Sequence, residues 1–192
     1  GKMRFKRLSL VVATLTLMLI LSGLLVYADG EQELGGCTSI AVSPEASTDG
    51  SAMCTHTDDS GSDTFYVSIV READWEPGVM RPVFNHTDRG PLYHVTKPIY
   101  QTGEIPQVAH TYAYTNTSYS FQNEMGVGMG ESTIGGASEC RNSNGMFEKT
   151  ELMRVALERA ATAREAIQIM GSMGEKYGYI SSGETLSVID KD

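Results

Sequence analysis

Hydrophobic and polar residues alternate differently in successive parts of the chain, and each change of pattern marks a new kind of segment. Residues 8 to 27 are uncharged and mainly apolar, and they follow a start that carries Lys2, Arg4, Lys6 and Arg7. A basic start, an apolar middle and the ending "VYA" ahead of Asp29 predict a signal peptide over residues 3–28. The apolar run approaches the roughly 20 residues that span a bilayer, so an uncleaved membrane anchor is the alternative reading. Gly1 and Lys2 lie ahead of Met3 and are left out of it. Residues 29–36, "DGEQELGG", are polar and glycine-ended and read as a disposable propeptide or linker. The pattern of a folded domain begins at Cys37 and runs to Asp192.

Within that domain, "CTSIAVS" and "SAMCTH" alternate in the manner of half-buried strands on either side of Asp49-Gly50. This predicts a hairpin, since Asp-Gly tolerates the positive φ of tight turns. "TFYVSIV" (64 to 70) is rich in aromatic and β-branched residues and reads as a third strand. Residues 74 to 106 hold five of the six prolines and read as a long irregular excursion of the kind found at binding surfaces. Strand patterns resume at 107 to 116 and at 125 to 133, the second dotted with glycine. Helical periodicity appears only after residue 147. "TELMRVALERA" puts Leu152, Val155, Ala156 and Ala160 on one face. The next helix opens with a capping box at Thr162 and Glu165. Its expected apolar face is Ala166, Ile167, Met170 and Met173, and Gly178 stops it. A last strand, "TLSVI", ends before Asp190. Strands, then a helix pair, then a strand predict a layered α+β domain with antiparallel pairing.

The formal net charge is −9 and is spread along the chain, which gives no reason to expect a nucleic-acid partner. No phosphate-binding loop, nucleophile elbow, H-E-x-x-H or C-x-x-C is present, and His56, His86, His94 and His110 lack metal-ligand spacing. Neither a metal nor a cofactor is expected. The cysteines are three, Cys37, Cys54 and Cys140, an odd number for an exported chain. A bridge between Cys54 and Cys140 stays open.

Cys37 follows Gly35-Gly36 directly and stands at the head of the first strand. Taken alone, such a cysteine reads equally well as a small buried hydrophobe. A cysteine released as a chain terminus, however, carries nucleophile and base on one residue. Its thiol attacks, and its own α-amino group, with a reference pKa of roughly 7.7–8.0, accepts the proton. A glycine pair ahead of it lets the backbone reach the geometry in which the thiol attacks the preceding carbonyl.

The run "GCTSIAVSPEASTDGSAMCTHTDDSG" resembles the mature start of the N-terminal-nucleophile cysteine dipeptidases, relatives of choloylglycine hydrolase and penicillin V acylase. The blocks "PGVMRPVF", "NEMGVGMGESTIGG" and "LERAATAREAIQIMGSMGEKYGYISSGETLSVID" extend the likeness over most of the chain beyond Cys37, in the family's order. The resemblance implies a four-layer αββα sandwich, activated by removal of everything ahead of Cys37. It implies hydrolysis of dipeptides and other small peptides through an acyl-enzyme on Cys37. Asp59 matches the family's acidic residue after the hairpin and is implied to orient the cysteine. His56 stands where many relatives carry arginine in an R-N-E-D run, which makes any charge there depend on pH. Asn123, or the segment from Glu131 to Thr133, is implied as an oxyanion donor. Relatives are longer, so the chain is expected to be the N-terminal portion of a larger enzyme. Export, small peptides as substrates and self-association into a homo-oligomer complete the expectation. The alternatives are an amidase of the choloylglycine hydrolase type and a secreted binding domain that keeps the fold without catalysis.

Overall fold

The computed structural model describes residues 37–59, 67–85, 100–140, 142–180 and 183–191. The expected signal peptide, the linker and the start of the third strand lie outside the described residues.

The hairpin forms where turn chemistry places it. β1 (Ser39–Val42) and β2 (Met53–His56) run antiparallel, with Ser39 opposite His56 and Val42 opposite Met53. Between them a 3-10 turn at Pro44–Ala46 leads into Gly50, whose φ is +75. The Asp49 carboxylate fixes the turn by accepting from the Ser47 hydroxyl at 2.6 Å, the Ser51 hydroxyl at 2.7 Å and the Ser51 amide at 3.0 Å. These donors hold its carboxyl at about 2, well below the ordinary value.

The proline-rich stretch is more regular than its composition suggests. β3 (Ser68–Val70) and β4 (Ala73–Asp74) are followed by β5 (Met80–Asn85), β6 (Tyr100–Pro106), β7 (His110–Thr111) and β8 (Tyr114–Asn116). β5 pairs with β6, β4 with β7 and β3 with β8, all antiparallel. The excursion expected over 74–106 therefore contains a strand pair, and the single strand expected over 107–116 is split in two. Pro82 and Pro106 belong to a pair that has two strands among the described residues, and a strand edge without a neighbour needs no amide. Val83 and Ile105, both fully buried, commit that pair to the core.

β9 (Gly128–Thr133) and β10 (Glu184–Ile189) form a further antiparallel pair, with Glu131 opposite Leu186 and Thr133 opposite Glu184. The hairpin packs onto this pair, β2 against β9 and β1 against both strands. Gly130 sets that approach: a Cβ there would stand 2.8 Å from Cys54 Sγ and 3.1 Å from the Thr55 carbonyl oxygen.

Two helices follow, α1 (Lys149–Arg159) and α2 (Ala163–Tyr177). In α1 the expected face, Leu152, Val155, Ala156 and Ala160, is buried with Met153 and Leu157. The same helix buries Glu151, Arg154 and Glu158, which Arg81 of β5 pairs with through both glutamates, Glu158 at 2.7 Å. In α2 the Thr162 hydroxyl accepts from the Glu165 amide at 3.2 Å, and the Glu165 carboxylate reaches back to the Ala161 amide at 2.8 Å. Ala166 and Met170 are buried, with Ile169, Met173 and Tyr177 packed beside them. Ile167 is 56% exposed, so the buried stripe lies rotated from the one expected. Gly178 ends the helix with a φ of +81. The architecture is α+β, with antiparallel strand pairs and two packed helices. Among the described residues no helix is long and apolar enough to cross a membrane.

Candidate active site

Cys37 stands immediately ahead of β1, where three segments of the chain meet. Its carbonyl oxygen accepts from the Ser132 hydroxyl of β9 at 2.6 Å. Thr38 exchanges two bonds with Thr57, its amide reaching the Thr57 hydroxyl at 3.0 Å and its carbonyl accepting the Thr57 amide at 2.9 Å. The backbone that leads out of the cysteine is thus pinned, one bond to β9 and two to the continuation of β2.

The sulfur is half-buried. Burial pushes the thiol above its ordinary value, while the backbone N–H groups of Asp59 and Thr133 favour the thiolate. The Glu131 carboxyl opposes them by charge and by hydrogen bonding to the thiol. Desolvation is the largest of these effects, so the sulfur rests as a thiol and needs a base to act as a nucleophile.

Asp59 meets the cysteine through its amide. Its carboxylate is exposed and accepts from the Thr57 hydroxyl at 3.4 Å. That hydroxyl is the one holding the Thr38 amide, so the carboxylate acts on the nucleophile's neighbour rather than on the sulfur. His56 is half-buried, with its ring edge-on to Tyr119 at 6.0 Å. Burial lowers its pKa and Asp58 partly restores it, which favours the neutral ring at neutral pH.

Asn123 is engaged elsewhere. Its Nδ2 donates to the carbonyls of Leu157 and Ala160 at 2.8 Å each, and its Oδ1 accepts the amides of Met125 and Val127 at 3.1 and 3.0 Å. Every hydrogen-bonding position of the amide is in use. Asn123 clamps the turn before β9 to the end of α1, with both of its N–H donors engaged there.

Of the segment from Glu131 to Thr133, all three residues reach Cys37: Ser132 through its hydroxyl, Thr133 through its amide and Glu131 through its carboxyl. Glu131 is fully buried, and neither of its oxygens has an N–H or O–H donor in hydrogen-bonding geometry. It faces the Glu184 carboxyl, whose Oε2 is equally without a donor. The other Glu184 oxygen holds Lys149 Nζ at 2.6 Å, and that ammonium also lies 5.5 Å from the centre of the Tyr119 ring. Burial and the second carboxylate push Glu131 up to about 7.

Lys149 and Glu184 were not legible as site residues, although each leaves a trace. A lysine in the first turn of a helix opposes the macrodipole, and a glutamate opens the otherwise apolar and hydroxylic β10. Both oddities resolve once the two side chains are seen paired behind Glu131.

Cys54 is half-buried, Cys140 is exposed, and all three cysteines are free. Among the described residues no group of three or more His, Cys, Asp or Glu is arranged to hold a metal ion.

Residues 36–192 match the model of a protein family described as Peptidase family C69, a match that begins one residue ahead of Cys37. No curated protein matches the chain.

Proposed function

This chain belongs to peptidase family C69, and we propose that it is an exported cysteine dipeptidase whose working residue is Cys37 as a free chain terminus. The arrangement around the sulfur carries this reading. A thiol whose carbonyl is pinned by Ser132 and whose sulfur meets the Asp59 and Thr133 amides is held for attack, not merely buried. No histidine touches it through any described hydrogen bond, which suits a nucleophile that supplies its own base.

In the proposed reaction the α-amino group of Cys37 takes the thiol proton as the sulfur adds to the scissile carbonyl of a dipeptide. The tetrahedral adduct collapses to a thioester as the same proton passes to the departing amine. Water then adds to the thioester, gives its proton to the α-amino group and releases the first amino acid, and the thiol is restored. The hairpin, the β9–β10 pair and the helices belong, in this reading, to a four-layer αββα sandwich.

Intact mass of active protein tests the proposal. A chain beginning at Cys37 that hydrolyses dipeptides in preference to acyl-amide substrates is expected. Activity in a chain that keeps residues upstream of Cys37, or that carries Cys37→Ala, would overturn it.

A further inference from the structure

The α-amino group of Cys37 can be a base only after the bond from Gly36 is broken. Until then that nitrogen is an amide, and an amide accepts no proton at neutral pH. Self-cleavage therefore needs a second proton acceptor at the sulfur, and the buried carboxyl beside it has no other assignment.

Glu131 has zero exposure, and neither of its oxygens has an N–H or O–H donor. The groups that face it are the Cys37 thiol, the Glu184 carboxyl of β10 and the Lys149 ammonium at the start of α1. Two carboxyl groups and one lysine leave one negative charge in a buried cluster, and one proton shared between the carboxyls both neutralises it and gives a partner to one oxygen on each. Such a pair takes up and releases a proton near neutrality, where a lone exposed glutamate stays ionised.

We propose that Glu131 is the base for self-cleavage of the precursor, a role that rests on Cys37 being the nucleophile. The Glu131 carboxylate takes the S–H proton, and the sulfur adds to the Gly36 carbonyl carbon. As the bond from that carbon to the Cys37 nitrogen breaks, the proton passes from Glu131 to the nitrogen. A thioester between Gly36 and the Cys37 sulfur results, together with a free α-amino group. Water hydrolyses the thioester, releases Gly36 as a carboxylate and returns the thiol. Glu184 is a positioning residue that sets the pH at which the Glu131 carboxylate is available.

The test follows purified full-length precursor by intact mass, over a range of about pH 5 to about pH 9 chosen to bracket the titration of the general base. Wild-type cleavage is expected to rise with pH and level off beyond about 7. Glu131→Gln keeps the volume and donates to Glu184, so it is expected to unfold cooperatively like wild type. Its cleavage is expected to slow by about 100-fold or more, as loss of a general base does. Glu184→Gln removes a negative neighbour and is expected to keep cleavage while moving its rise to lower pH, a shift that a packing defect does not produce. Cutting the Glu131→Gln chain ahead of Cys37 with a site-specific protease supplies the amine and is expected to restore dipeptide hydrolysis that the uncut variant lacks. Cleavage of Glu131→Gln at the wild-type rate, or a wild-type precursor that never cuts itself, overturns the inference. A wild-type chain started at Cys37 by the external protease and inactive on dipeptides overturns the proposed function instead, and leaves the cleavage readout standing.

Discussion

Ser132 Oγ donates to the carbonyl oxygen of Cys37 at 2.6 Å, joining the head of β1 to β9 across 95 residues of chain. The bond is short and part-buried, and it fixes the peptide plane that follows the Cys37 Cα. Removing it frees that plane while leaving the sulfur's chemistry intact. Ser132→Ala is therefore expected to cost about 1 kcal/mol of stability, the net worth of one such bond. Its effect on turnover should be larger in kcat than in KM, since misplacement of an attacking atom slows chemistry more than binding. Steady-state kinetics beside a thermal melt checks this, and equal kcat for variant and wild type would remove Ser132 from the site.

Gly130 governs the depth at which the hairpin lies on β9. The atoms that a side chain there would meet are Cys54 Sγ at 2.8 Å and the Thr55 carbonyl oxygen at 3.1 Å, the second of them backbone. Backbone does not turn aside as a side chain does, so β2 must lift and carry β1 and Cys37 with it. Gly130→Ala is expected to destabilise by about 1–3 kcal/mol, as overpacking does, and to lower activity in the remaining folded fraction. Gly135→Ala is the control, because nothing lies within 4 Å of the added carbon. Urea unfolding of the two variants should separate them clearly.

The hairpin, both helices and the last strand were readable because each is specified locally. Asp49-Gly50, the capping pair Thr162 and Glu165, and the stop at Gly178 act over a few residues and need no partner from elsewhere in the chain. The β5–β6 pair was hidden because its prolines argue against a strand wherever both edges are paired, and among the described residues this sheet has two strands. Ile167 was misplaced because four apolar residues fit the helical face nearly as well as the true stripe through Ile169 and Tyr177. At the candidate site, the position of Cys37 just ahead of a strand was legible from local pattern. Lys149 and Glu184 were not, since their pairing at 2.6 Å joins positions that no local pattern connects. Asn123 was read as a donor because its residue type suits that role, while its actual partners lie on α1, far along the sequence.

Glu131 and Glu148 are each pushed up to about 7, both chiefly by burial, against a reference of 4.5. Between those values the folded state binds more protons than the unfolded one, so stability falls as pH rises through the interval. The contribution is fully present below about 4.5 and lost above about 7. His56 works the other way, since burial holds it below its ordinary value and the folded state gains on the unfolded one as pH rises toward 6.5. The measurable quantity is thus a difference between proteins. Glu131→Gln and Glu148→Gln are each expected to flatten the fall in unfolding free energy over this interval relative to wild type. Denaturant titrations at several pH values check it, and profiles parallel to wild type would show that neither carboxyl carries its proton into the folded state.

Asn123 offers a way to separate a structural clamp from a catalytic donor. Its four hydrogen bonds join two amides of the turn before β9 to two carbonyls at the end of α1. The residue is 4% exposed, so water does not replace them freely when the side chain is cut back. Asn123→Ala should then cost at least about 2 kcal/mol, because buried backbone groups are left unpaired. A clamp loses stability and keeps its chemistry: the folded fraction, measured at a temperature below its melt, is expected to retain kcat within about a factor of three, where an oxyanion donor would lose about 100-fold or more. A stable variant with a collapsed kcat would return Asn123 to the active site and would require the amide to swing away from α1 when substrate binds.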